Sequence, residues 1–77
     1  MIIKDKNVIT SIGKYDVYYI PCVTNEDIEE LTRIFGREFS NLEEENVILY
    51  NYSTSETIQL NPIDAQEMIG YILKSWN

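Results

Sequence analysis

The stretch Asn7-Val8-Ile9-Thr10-Ser11-Ile12-Gly13-Lys14-Tyr15-Asp16-Val17-Tyr18-Tyr19-Ile20 reads as two strands and a tight turn. Both flanks are rich in β-branched and aromatic residues, which fit a pleated, half-buried surface. Gly13-Lys14 separates them, and Gly at the first central position suits a type II′ hairpin. That register sets Ile12 against Tyr15, Thr10 against Val17 and Val8 against Tyr19 on one side. Ile9 with Tyr18 and Ser11 with Asp16 fall on the other. Neither side is cleanly polar, so either both are covered or one is open for binding. Pro21 limits the pairing, which fits a strand end or an edge.

Beyond it, Thr24-Asn25-Glu26-Asp27 predicts a helix start, with Thr24 as N-cap and Asp27 closing an acidic capping box. Ile28, Leu31, Ile34 and Phe35 follow at helical spacing, and Gly36 is a candidate C-cap unless Arg37-Glu38-Phe39 add a turn. Residues 46–52 and 57–60 read as a second strand pair around the turn Ser53-Thr54-Ser55-Glu56. Asn61-Pro62 then opens a last helix, carrying Ala65, Met68, Ile69, Ile72 and Trp76 on one face and Gly70 in its interior. The order β-β-α-β-β-α predicts a single α+β domain over residues 1–77. Its expected form is a two-layer sandwich, an antiparallel four-stranded sheet with both helices on one face.

The chain has 77 residues, 13 acidic and 6 basic, for a net charge of −7, with no His and one Cys. So few cations argue against direct nucleic-acid binding, which rests on Lys and Arg neutralising phosphates. They also argue against docking on anionic membranes. Lack of imidazole and a lone thiol exclude Cys₄ and Cys₂His₂ zinc sites. No cofactor is implied. Cys22 has no His to activate it and sits in an apolar stretch, which predicts an inert, buried thiol. The start, Met1-Ile2-Ile3-Lys4-Asp5-Lys6, lacks the apolar core of a signal peptide. The apolar run from Val17 to Val23 is too short to span a bilayer. A reducing cytoplasm is the expected compartment. A chain this small must pack its core well, form a homodimer or bind a partner.

Two groups of residues remain. Between Glu26 and Glu45 eight acids stand against Arg33 and Arg37, a local charge of −6. One reading is a solvated face in which Glu29 and Glu30 pair with Arg33. The other is a contact surface in which Glu26, Glu29 and Glu30, continued by Glu43, Glu44 and Glu45, replace part of a phosphate track. The second group is the tyrosines. Tyr18, Tyr50 and Tyr52 are candidate interface anchors on a sheet face, if that face is not simply core. In size, acidity and compactness the chain resembles the small inhibitors that bacteriophages and mobile elements encode against host nucleases, anti-CRISPR and anti-restriction proteins included. The resemblance is compositional and rests on no motif. It implies a stoichiometric binder of a larger protein with a basic groove, such as a nuclease complex. That the chain is no enzyme is expected from the lack of a convergent catalytic constellation. The alternative is an oligomerisation or regulatory module that uses its tyrosine-bearing sheet.

Overall fold

A computed structural model describes residues 1–39, 42 and 44–69. Four strands, β1 (Ile3–Thr10), β2 (Gly13–Ile20), β3 (Asn46–Asn51) and β4 (Glu56–Leu60), form one sheet in the order β1-β2-β3-β4. Every neighbouring pair is antiparallel. Helix α1 (Asn25–Phe35) links β2 to β3, and α2 (Pro62–Ile69) follows β4. The α+β class and the order β-β-α-β-β-α are those predicted from sequence.

The layering is not. Val17, Tyr19, Val47 and Leu49 point to one side of the sheet and pack with Ala65 and Ile69 of α2. Tyr18, Ile20 and Ile48 point to the other and pack with Leu31 of α1 and with Phe39. The helices therefore cover opposite faces, in three layers rather than two. The cause lies in the central strands. Tyr15 through Ile20 are all buried, as are Asn46 through Leu49, and strands apolar on both sides need cover on both.

The first hairpin turns at Ser11-Ile12 rather than Gly13-Lys14, pairing Thr10 with Gly13, Ile9 with Lys14 and Val8 with Tyr15. Thr10 decides this. Its Oγ1 accepts from the Ile12 N–H at 3.2 Å and donates to the Gly13 carbonyl at 2.7 Å. Gly13, at φ 140°, takes the fourth turn position, where glycine is favoured. The Ser11 N–H donates to the Met68 carbonyl at 3.0 Å, tying the turn to α2. The slip from the expected register is even, so Val8, Tyr15, Val17 and Tyr19 still share a face.

A bulge interrupts β1 between Asp5 and Val8, where Lys6 and Asn7 oppose Asp16. Asn7 takes the left-handed conformation, φ 56°, which Asn tolerates better than most residues. Its N–H donates to Asp16 Oδ1 at 3.0 Å. The extra residue resets the alternation, so Ile3 and Val8 both reach the α2 side.

Helix α1 begins with the predicted capping box. Thr24 Oγ1 accepts from the Asp27 N–H at 3.2 Å, and the Thr24 N–H donates to Asp27 Oδ2 at 3.1 Å. Asp27 Oδ1 accepts from the Met1 amino group at 2.8 Å. Gly36, at φ 70°, ends the helix and donates its N–H to the Thr32 carbonyl, so no further turn is added. Asn61 caps α2 through its side-chain bonds with Asp64. The predicted continuation of α2 through Gly70, Tyr71, Ile72 and Trp76 lies outside the described residues. Cys22 is exposed, contrary to the sequence reading. The chain leaves the sheet at Pro21, so strand alternation no longer turns the next side chains inward.

Two outcomes follow from these contacts. The hydrogen bond from the Met1 amino group holds the Asp27 carboxyl below the usual carboxylate range, against burial and with help from Thr24. Its contribution to stability is therefore complete above that range, and it disappears as pH falls through the lowered value. Urea unfolding at about pH 7 and about pH 2 should show wild type losing its advantage over Asp27→Asn at the acid end. Thr24→Ala should cost about 1 kcal/mol at neutral pH. Cys22, in turn, should react with a thiol reagent as fast in the native protein as in urea. A large acceleration on unfolding would show that the thiol is shielded.

Candidate functional site

The outer side of α1 carries Glu26, Glu29, Glu30 and Arg33, all exposed, while Asp27 and Leu31 are buried beneath them. Spacings of three and four residues stack these glutamates along one side of the helix. The expected pairing of Glu29 or Glu30 with Arg33 is not formed. Among the described residues the ion pair present is that of the Met1 amino group with Asp27. Arg37 is also turned away from the glutamates. Its guanidinium donates to Thr57 Oγ1 on β4 and lies over the Phe39 ring, 4.9 Å from its centroid. The stripe therefore keeps its charge.

Of the glutamates expected to extend the stripe past the helix, Glu44 and Glu45 are among the described residues. The Val23 N–H donates to the Glu44 carbonyl at 3.1 Å, which fixes exposed Glu44 beside the start of α1. Glu45 is engaged elsewhere. Its Oε2 accepts from the Tyr19 hydroxyl at 3.2 Å, and Tyr19 belongs to the α2 side of the sheet. Glu43 lies outside the described residues.

The tyrosines have separate fates. Tyr18 is only 1% exposed, its ring edge-on to Phe35 at 5.1 Å with the Lys4 ammonium 5.6 Å from the ring centroid. Burial, joined by a hydrogen bond with Tyr52, pushes its hydroxyl well above the ordinary tyrosine value. Tyr18 is thus core, and its assignment as a contact residue is corrected. With both faces under helices, no open tyrosine-bearing sheet face exists among the described residues. Tyr15 and Tyr19 are buried toward α2. The Tyr15 hydroxyl donates to Glu56 at 2.7 Å, and that bond first, then burial, raises its pKa. For Tyr19 burial comes first, then the bond to Glu45. Tyr50 is half-buried, 5.0 Å from Phe35. Tyr52, in the β3–β4 turn, is 61% exposed and stands edge-on to Tyr50 at 4.8 Å.

A groove of about 360 Å³ that the sequence reading missed opens beside these two rings, lined also by Asn7, Lys14, Asp16 and Ser53. Asp16 is 5% exposed, with one oxygen held by the Asn7 N–H. Its Oδ2 is buried and has no hydrogen-bond partner. The signal was a lone acid among the apolar and aromatic residues of β2, on the same side as Tyr18.

Among the described residues no three acids or thiols gather as a metal site, and no helix is long and apolar enough to cross a membrane. No protein-family model matches the chain, and no curated protein or solved structure is significantly similar to it.

Proposed function

We propose that the protein acts by stoichiometric binding, setting the outer side of α1 against a basic groove that otherwise holds nucleic acid on a larger protein. One observation carries this reading: Glu26, Glu29 and Glu30 are exposed along one side of α1, and among the described residues no cation pairs with any of them. Glu26 to Glu30 covers about 6 Å of helix axis, the scale of one to two phosphate steps along a nucleic-acid strand. The net charge of −7 steers such an encounter and speeds association. The compositional likeness to phage-encoded inhibitors of nucleases points the same way. Binding rather than turnover is the activity assigned, in a reducing cytoplasm where exposed Cys22 stays a free thiol.

A second reading makes Tyr52 the anchor of an interaction module. Its large exposed ring, braced edge-on by Tyr50, has the amphipathic, rigid character of interface hot spots. The two readings differ in salt dependence.

Glu29→Lys combined with Glu30→Lys should weaken binding to the protein's target by about 2–5 kcal/mol, if the pairs are desolvated in the complex. Fold stability should change by less than about 1 kcal/mol. The check is a titration of wild type and variant against the partner recovered from the source cell, at low and high salt, with nucleic acid as competitor. Equal binding by both chains, indifferent to salt and to competitor, would leave the carboxylates as mere solvation and move the contact to Tyr52.

A further inference from the structure

We propose that the groove between Asp16 and the Tyr50–Tyr52 pair is a binding site for an organic ammonium or guanidinium cation. The proposal is independent of the acidic stripe on α1. It starts from an unbalanced group. Asp16 is nine-tenths buried, and its Oδ1 is fixed by the Asn7 N–H at 3.0 Å, so the carboxylate is already oriented. Its Oδ2 receives no hydrogen bond. A buried carboxylate oxygen left without a donor carries an uncompensated desolvation penalty, which a ligand N–H would offset.

The walls narrow the choice of ligand. The Tyr50 and Tyr52 rings meet at 77° with centroids 4.8 Å apart, forming two sides of an aromatic corner. Ring faces attract organic cations through their quadrupole, and a carboxylate in the lining adds a charge-assisted hydrogen bond. An anion would meet both the carboxylate and a chain of charge −7. A bare metal ion would be short of ligands, because Asp16 belongs to no group of three or more acids or thiols among the described residues. Lys14 also lines the groove on the same face, yet it makes no ion pair with Asp16. A volume of about 360 Å³ lies at the small end of ligand pockets and suits one side chain or a small amine. The larger groove along α1, lined by Ile28, Glu29, Thr32, Glu38 and Phe39, holds no such unsatisfied buried atom.

The shared chemistry has two sources, a free amine or the side chain of a lysine or arginine in another protein. The test follows backbone amide signals by NMR on the full chain. Probes are n-butylammonium, ethylguanidinium, and a capped peptide with one lysine, beside the same peptide acetylated on that lysine and potassium chloride at matched ionic strength. Saturable shifts centred on Asn7, Asp16 and Tyr52, absent with the acetylated peptide and the salt, are expected. Saturation by the free cations marks a small-molecule site, and saturation by the lysine peptide alone marks a side-chain site. Asp16→Asn keeps an acceptor for the Asn7 N–H but loses the charge, and should weaken binding roughly ten-fold. Tyr52→Ala gives up a hydrogen bond with Tyr18 but lies in the β3–β4 turn outside the sheet ladder, so it reports on the groove even where the Asp16 variant fails to fold. It should weaken binding roughly 2- to 5-fold. Glu29→Lys with Glu30→Lys should leave these shifts intact, which separates this proposal from that on α1. Shifts no larger than those from potassium chloride, or saturation unchanged in the folded variants, would overturn it.

Discussion

Six consecutive residues of β2, Tyr15 to Ile20, have no side open to solvent, and the rest of the architecture answers that constraint. An antiparallel strand usually spares one face for water, and a chain of this size has few elements with which to cover two. The protein spends one helix on each face. Tyrosines make the arrangement workable, because their rings fill core volume while their hydroxyls reach the rim. Tyr15 and Tyr19 end on Glu56 and Glu45, so two acids of an acidic chain serve the core instead of the surface. The high tyrosine content thus reflects a thin core covered on two sides.

The bulge at Asn7 belongs to the same solution. Ile3 and Val8 are five residues apart, so regular alternation would send them to opposite faces. One inserted residue puts both on the α2 side. The insertion leaves Asn7 left-handed, with an N–H pointing across to Asp16. An acid at that position of β2 satisfies the donor the bulge exposes, but a carboxylate has two oxygens and the bulge offers one N–H. The unsatisfied Oδ2 is a local consequence of a register that the whole sheet requires, which connects β1 packing to the groove.

Features set by short-range chemistry were legible in the sequence. Thr24 with Asp27, Gly36, and Asn61 with Pro62 marked helix ends because capping needs particular atoms at fixed spacing. The shared face of Val8, Tyr15, Val17 and Tyr19 survived a misplaced turn because the register slip was even. Two long-range features were not legible. The face each helix covers depends on the path of the chain after Pro21 and after Leu60, and alternation alone is silent on it. Tyr18 looked like a surface anchor only while one face was assumed open. Asp16 was legible as an acid in a strand, but its orphaned oxygen depends on a bulge in the neighbouring strand.

The two proposed surfaces differ in how their acids are treated by the fold. On α1 the angle of 100° per residue separates neighbours in sequence: Asp27 turns inward to the Met1 ammonium and the Thr24 cap, while Glu26 turns out. The inward acid is locally matched and contributes to folding. The outward acids are unmatched, so their field reaches into solvent over roughly 8–10 Å at ordinary ionic strength and acts on whatever approaches. Asp16 is the reverse case. Its surroundings confine its influence to the groove, where low dielectric strengthens any contact made with it. An outward stripe suits long-range attraction with loose geometry, and a buried oriented carboxylate suits short-range selection of one cationic group. The separation follows from periodicity on the helix and from the bulge in the sheet, so each surface can be altered without disturbing the other.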